Sequence, residues 1–472
     1  MTSTVELPVW LVVLALILAM IAALDKILVP WVRWVLRRRM ERAVARLNQR
    51  LEQPITPFKL LERHDRILRL IYDPQVLQAV VEYARANNMP EQVAFDRARR
   101  YAREIVPGFS ATLYFGVAAR LARLISQALY TVRVGTADPE ALRRITPDAT
   151  VIFIMNHRSN MDYVLVTWLV SERMMLSYAV GEWARVWPLS GLARGMGAYF
   201  IRRRHMNALY RKVLERFVQM TTAEGVAQAI FPEGGLSLNG RVGPAKRGLL
   251  GHILGGFDPA GPRDVVFIPV GLSYDRVIED RILTEAHEAG GRRFRARPLV
   301  VLGFAAKVIW RKLRGRFPGF GHAAVSFGAP LSLRDHLAAA PGTSPDALAE
   351  RLMAEVRRVV PVLPVPLVAA ALLDGGPVTR AGLTARVAGL RVRLKLSGAI
   401  LRQTDAAPEA LTRAALRPLV ARGIVSDRDG FLSVAPGMAG LLAFHAAPAR
   451  QALDAAAALK ITKAPDPPSA ET

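Results

Sequence analysis

Residues 156–163 read NHRSNMDY and place His157 and Asp162 five positions apart. The stretch just before them, Thr150–Met155 (TVIFIM), is apolar, rich in β-branched side chains and preceded by Pro147 and Asp148, which predicts a buried strand. Just after them, Ser159 or Asn160 can cap a predicted helix whose apolar body is residues 163–170. The pair therefore falls where a strand ends and a helix begins, the usual place for chemistry in an α/β sheet. An imidazole in that loop and a carboxylate in the first helical turn can face each other. The carboxylate then accepts the proton on one ring nitrogen and leaves the other as a base. The couple carries no nucleophile of its own, so a substrate must bring the hydroxyl.

A His and an Asp at this spacing also arise by chance. Three later stretches give the pair its weight. GAYFIRRR (197–204) is a short apolar run followed by Arg202, Arg203 and Arg204. Guanidinium forks suit a phosphate dianion, each charge-assisted bond contributing on the order of 1.5–3 kcal/mol. Without context the same residues read as a basic helix start. FPEGGLSLNGR (231–241) follows a second predicted strand, and Glu233 with Gly234 and Gly235 offers backbone N–H groups to an anion or a developing oxyanion. Alone it reads as an ordinary turn. VVFIPVGLSY (265–274) is wholly apolar around Pro269 and reads as packing, with no catalytic role.

With 472 residues the chain can bury a large core in two or three domains. Its 64 Lys and Arg against 39 Asp and Glu give a formal net charge of +25, which draws anionic partners: phospholipid head groups, phosphorylated metabolites, acyl carriers or nucleic acid. The absence of cysteine excludes a thiol nucleophile, disulfides and thiolate metal sites, and suits a cytosol-facing body. Any acyl transfer then uses another nucleophile or runs directly from donor to acceptor.

Along the chain, residues 7–24 form an uncharged, mostly apolar run, about 27 Å long as a helix and enough to cross most of a bilayer core. Trp31 and Trp34 follow as interfacial anchors, then Arg37, Arg38, Arg39 and Arg42, while Glu6 is the only charged side chain ahead of the run. This predicts a helix in the cell (inner) membrane and a basic juxtamembrane segment to residue 51, with the catalytic body on the cytoplasmic face. A cleaved signal peptide is the rival, opposed by the lack of a basic n-region. Residues 52–145 read as a helical region without chemistry. From 146 to 345 strands at 150–155, 226–231, 265–270, 299–304 and 324–327 alternate with helices such as 206–221. Apolar runs without alternation predict an α/β domain built on a mainly parallel sheet flanked by helices. Ser344 and Pro345 open a helix to about 359, and 361–366 reads as a linker. Residues 346–462 are expected to be a mostly helical domain, with helices at 378–394 and 410–420. A hairpin over 424–434 makes it winged-helix-like and opens a nucleic-acid alternative. Residues 463–472 are expected to be a disordered tail.

Taken together, the blocks resemble the glycerol-3-phosphate acyltransferase branch of the glycerolipid acyltransferases, which holds the large bacterial membrane enzyme and its mitochondrial relatives. HRSNMDY is similar to that branch's His-x4-Asp block, GAYFIRR to the second, FPEGGLSLNGR to the third and VVFIPVGLSY to the fourth, in the same order. GHAAVSFGAPLSLRDHL (321–337) is similar to the segment that closes the catalytic domain, and VPLVAAALL (365–373) and LLAFHAAPARQAL (441–453) to the C-terminal region. The resemblance implies the fatty acylation of the sn-1 hydroxyl of glycerol 3-phosphate. Acyl-CoA or acyl carrier protein would be the donor, an anionic phospholipid membrane the partner, and no cofactor or metal is implied. It implies His157 as general base, Asp162 as its orienting partner and Arg202 and Arg203 as phosphate ligands, with Glu233, Gly234, Gly235 and Ser237 shaping the third-block loop. Leu236 and Leu238 stand where the family has arginines. Arg204, Arg241, Lys246 or Arg247 are the cations that could replace them. The acceptor thereby stays open between glycerol 3-phosphate, lysophosphatidic acid and dihydroxyacetone phosphate. His445, Ala446 and Ala447 stand where the family has an Asn pair after the aromatic. A silent membrane adapter or nucleic-acid binder is the distant alternative, and nucleic acid is not the expected partner.

Overall fold

The computed structural model describes residues 63–461 apart from 109–111, 137–138, 172–175, 182–194, 196, 203–205, 292–302, 304–307, 309, 313, 316 and 318. The expected membrane helix at 7–24, the basic segment behind it, most of the expected 299–304 strand and the 463–472 tail lie outside these residues. Among the described residues no helix is long and apolar enough to cross a membrane.

Among the described residues eight strands form one sheet: β1 (Thr131–Thr136), β2 (Thr150–Met155), β3 (Ser177–Gly181), β4 (Ala198–Ile201), β5 (Gln228–Ile230), β6 (Val265–Tyr274), β7 (His322–Phe327) and β8 (Leu331–Ser332). Their order is β1-β7-β6-β2-β5-β3-β4, with β8 beside β6. β2, β3, β4, β5 and β6 run parallel, and β7 and β8 pair with β6 antiparallel. Every residue of β2 and β6 is buried, which is why their sequences do not alternate. Ile152, Ile154 and Phe267 pack with Leu209, Val213 and Phe217 of the Ala208–Ala223 helix and with Leu352, Met353 and Val356 of the Pro345–Val359 helix. The helices Arg63–Ile71, Pro74–Ala86 and Glu91–Ile105 join the same core.

The sheet is mainly parallel, as expected, but it starts earlier and contains more strands. β1 lies inside the region read as helical. Its sequence TVRVGT puts Arg133 and Gly135 into a strand that, among the described residues, lies at the sheet edge and pairs with β7 alone, so it shows no apolar run. β4 is the apolar part of GAYFIRRR, a strand rather than the opening of a helix. β5 is shorter than the 226–231 expectation, and β6 continues to Tyr274 because β7 pairs with its second half.

Downstream, Ser344 Oγ accepts Ala347 N at 3.2 Å and caps the Pro345–Val359 helix as expected. The expected 361–366 linker is different: a helix, Pro364–Leu373, begins inside it. Proline fits a first helical turn, where its missing N–H has no partner to lose. That helix is the centre of a second core, together with Leu383, Leu416 and Leu442. Around it stand β9 (Val378–Thr379), the helices Arg380–Leu396 and Pro408–Ala421, the hairpin β10 (Val425–Arg428) and β11 (Phe431–Val434), and the helix Ala439–Ile461. β9 adds a third strand to the expected hairpin.

Candidate active site

The backbone of β2 stops at Met155, and Asn156 extends the pairing with its side chain. Its Nδ2 donates to Leu272 O at 3.0 Å and its Oδ1 accepts Leu272 N at 2.7 Å, so the amide stands in for one more strand residue beside β6. The chain then turns, and His157 sits at the C-terminal edge of the parallel strands.

The third block holds His157 by its backbone. His157 N donates to Glu233 Oε1 at 2.9 Å, and Ser237 N donates to His157 O at 2.8 Å. Glu233 Oε2 accepts Gly243 N at 3.0 Å. Burial pushes the Glu233 carboxyl up, and these two N–H donors work against that rise. Glu233 is thus a brace between two loops. Gly234 has φ +67 and donates its N–H to Phe231 O at 2.9 Å, inside the turn. The positive φ favours glycine there, and the side chain of Lys246 crosses close over it, its Cδ 2.8 Å from where a Cβ would stand. Gly235 is buried beside it, and Ser237 Oγ donates to Arg241 O at 2.6 Å.

Asp162 lies in the first turn of the Met161–Ser171 helix and is fully buried. Its Oδ2 is 2.9 Å from His157 Nδ1 and also accepts Arg158 N at 2.7 Å and Ser159 N at 3.0 Å. Its Oδ1 accepts the Tyr274 hydroxyl at 2.6 Å. Burial lifts the Tyr274 phenol well above its usual range, and the Asp162 charge adds to the rise, so Tyr274 stays a donor. A carboxylate that accepts from every side fixes the proton of His157 on Nδ1 and leaves Nε2 with a lone pair. The imidazole is held 4.2 Å from the Phe231 ring and edge-on to Tyr163 at 5.3 Å, centroid to centroid.

The rest of the motif loop is also tied down. Ser159 Oγ donates to Glu279 Oε2 at 2.8 Å, and Asn160 donates to Glu279 Oε1 from N at 3.2 Å and from Nδ2 at 3.0 Å. The Arg158 guanidinium is buried, donating to Gly240 O and to Phe444 O. Asn156, Arg158, Tyr274 and Glu279 are site residues that sequence reasoning gave no role. The first two lie within the quoted motif and Tyr274 ends the fourth block, whereas nothing in the sequence around Glu279 points to the site.

The expected cations that the structure describes fall into three groups. Lys246 belongs to the third-block loop, its N donating to Pro232 O at 2.8 Å and its stem against Gly234. Arg202 follows β4, three strands across from β2, or about 14 Å at the usual strand spacing. Its Nε and Nη2 donate to Glu104 at 2.8 and 2.7 Å, and the guanidinium lies over the rings of Tyr101 and Tyr210. Arg241 pairs with Asp454 at 2.5 Å and Arg247 with Asp346 at 2.9 Å, both at the surface. Arg203 and Arg204 lie outside the described residues. Leu236, at an expected arginine position, is packed inside.

Residues 135–273 match the acyltransferase family, and residues 307–442 match the glycerol-3-phosphate acyltransferase C-terminal region. The chain is 31% identical over 300 residues to a glycerol-3-phosphate acyltransferase of Aeromonas hydrophila, covering 62% of this chain and 36% of that one. It is 29% identical over 328 residues to a glycerol-3-phosphate acyltransferase of Pseudomonas syringae, covering 65% of this chain and 38% of the relative. The chain thus spans little more than a third of the length of these curated relatives. Among solved structures, the 1-acyl-sn-glycerophosphate (LPA) acyltransferase PlsC of Thermotoga maritima matches with 17% identity and a TM-score of 0.32, over 62% of this chain and 95% of that one.

Proposed function

We propose that this chain, which carries an acyltransferase domain followed by a glycerol-3-phosphate acyltransferase C-terminal region, transfers a fatty acyl group from an acyl thioester to the sn-1 hydroxyl of glycerol 3-phosphate. The observation that carries the reading is the 2.9 Å contact between His157 Nδ1 and a carboxylate already saturated by other donors. Nε2 of neutral His157 takes the hydroxyl proton as the oxygen attacks the thioester carbonyl. Asp162 stabilises the imidazolium so formed. The tetrahedral intermediate collapses with cleavage of the C–S bond, and the imidazolium returns the proton to the leaving thiolate. General-base catalysis of this kind contributes about 10²–10⁴-fold.

Lys246, held in the third-block loop, is the first cation we assign to the acceptor phosphate, with Arg202 and Arg203 behind it. Arg202 reaches a phosphate only by exchanging Glu104 for it. Residues 7–24 would anchor the protein in the cell membrane with the catalytic body on the cytoplasmic side. The order of helix, β9, two helices and hairpin after residue 364 is what supports reading this region as a winged-helix-like scaffold. The test is thiol release from acyl-CoA and from acyl carrier protein by the full chain in membranes, with each of the three acceptors. Glycerol-3-phosphate-dependent release supports the reading; release with lysophosphatidic acid alone refutes it.

A further inference from the structure

Two consecutive residues of the Ala439–Ile461 helix reach the catalytic loop by separate routes. Phe444 does so directly: its carbonyl accepts Arg158 Nη2 at 3.3 Å, and the Arg158 guanidinium lies 5.1 Å above its ring. His445 does so through Asp280. Its Nε2 is 3.0 Å from Asp280 Oδ2, and Arg422 closes on the same carboxylate at 2.7 and 2.8 Å. Burial pulls the His445 imidazole down, and its Nδ1 is buried without a hydrogen-bond partner, which places the proton on Nε2, donated to Asp280. The residue before Asp280 is Glu279, which holds Ser159 and Asn160.

Arg158 makes the case sharper. It is 2% exposed, its guanidinium donates to the Gly240 and Phe444 carbonyls, and burial pulls it down to about 10 despite the nearby Asp162 and Glu233 charges. Burying a guanidinium against neutral carbonyls is a poor way to gain stability. It is a good way to fix one loop against another, because the planar fork sets both distance and direction. Gly240, with φ +78, brings its backbone so near Phe444 O that a Cβ would lie 2.3 Å from it, so the same junction requires the glycine.

We propose that the C-terminal region is part of the active site: Arg158 and the Asp280–His445–Arg422 cluster are positioning residues through which it sets the loop carrying His157. This rests on the acyltransferase reading above. Loss of either route loosens the imidazole relative to the bound substrates and lowers turnover without weakening either substrate's binding.

The test uses the full chain in membranes and follows thiol release with both substrates varied. The wild type is read first with all three acceptors. Activity only with another acceptor overturns the acceptor assignment alone, and the variants are then compared on that acceptor; a wild type silent on every acceptor overturns both. His445→Leu and Arg158→Lys should lower kcat at least roughly tenfold, the size of one lost buried hydrogen bond, with both KM values unchanged. His445→Gln, which restores a donor toward Asp280, should recover most of the loss. Arg450→Ala, which removes a surface pair with Asp374 in the same region, should leave kcat as it is. Should His445→Leu or Arg158→Lys fail to fold, Phe444→Leu, which keeps the carbonyl acceptor and removes only the ring, decides by the same kcat reading. Wild-type kcat in the folded variants, or a drop that His445→Gln shares in full, overturns the proposal.

Discussion

Tyr274 Oη lies 2.6 Å from Asp162 Oδ1, the carboxylate oxygen that His157 does not use. The last residue of β6 therefore supports the His–Asp couple from behind. The fourth sequence block, which reads as packing alone, ends on a polar contact at the centre of the site. The four blocks meet the site unequally: the first supplies the couple, the third braces the backbone of His157, the fourth holds Asp162, and the second stands three strands away.

Tyr274→Phe should lower kcat with little change in either KM. It keeps the ring packing of β6 and removes one donor to a buried carboxylate, an interaction contributing roughly 1.5–3 kcal/mol. Steady-state kinetics with both substrates varied will read this as a fall of about ten- to a hundredfold. An unchanged kcat would show that Arg158 N and Ser159 N hold Asp162 well enough without the phenol.

Asp162→Asn should be more severe, with a fall in kcat on the order of 10⁴-fold, because an amide no longer fixes the proton on His157 Nδ1. Single-turnover rates at saturating substrates check it. Secondary structure measured by circular dichroism should be retained, since the side chain keeps its size and Oδ1 can still accept.

Arg202 and Lys246 should separate stability from binding. Arg202→Ala removes the two hydrogen bonds that the guanidinium donates to Glu104, whose side chain is 8% exposed, and should destabilise the fold by roughly 1.5–3 kcal/mol in denaturant titration. Lys246→Ala should instead raise KM for glycerol 3-phosphate about tenfold, leaving KM for the thioester unchanged. If Lys246→Ala leaves the acceptor KM untouched, the third-block loop does not hold the phosphate.

Acid stability should carry the signature of Asp280. Burial alone would raise its carboxyl, but hydrogen bonds from His445 and Arg422 outweigh burial and bring it from 3.8 down to about 2. A depressed folded value means stability that is fully present above the unfolded value and is lost as pH falls through the folded one, here between about pH 4 and 2. The size is roughly 2 kcal/mol. Unfolding free energy followed against pH should fall over that window in the wild type and fall less steeply in Asp280→Asn.

The parts of this architecture that were legible in the sequence are those where local signals and burial agree. TVIFIM is apolar throughout because β2 is covered on both faces, and the loop and first helical turn after it place His157 and Asp162 within reach of each other. β1 escaped because an edge strand carrying Arg133 and Gly135 shows neither an apolar run nor a clean alternation. The residues 361–366 read as a linker because their prolines punctuate a sequence in either setting; only the surrounding core shows that Pro364 opens a buried helix. Arg158 lay in plain view inside the motif, but its partner Phe444 is 286 residues further on, beyond the reach of any local pattern. Glu279 has the same difficulty at a separation of 120 residues from Ser159.

In the proposed reaction His157, oriented by Asp162, removes the acceptor's proton. Its most direct test is thiol release from an acyl thioester by the wild type and by His157→Ala, both in membranes at matched expression, with and without glycerol 3-phosphate. The wild type should release thiol in a glycerol-3-phosphate-dependent way, and the variant should release none above background. Glycerol-3-phosphate-dependent release by His157→Ala at a rate near the wild type's would contradict it.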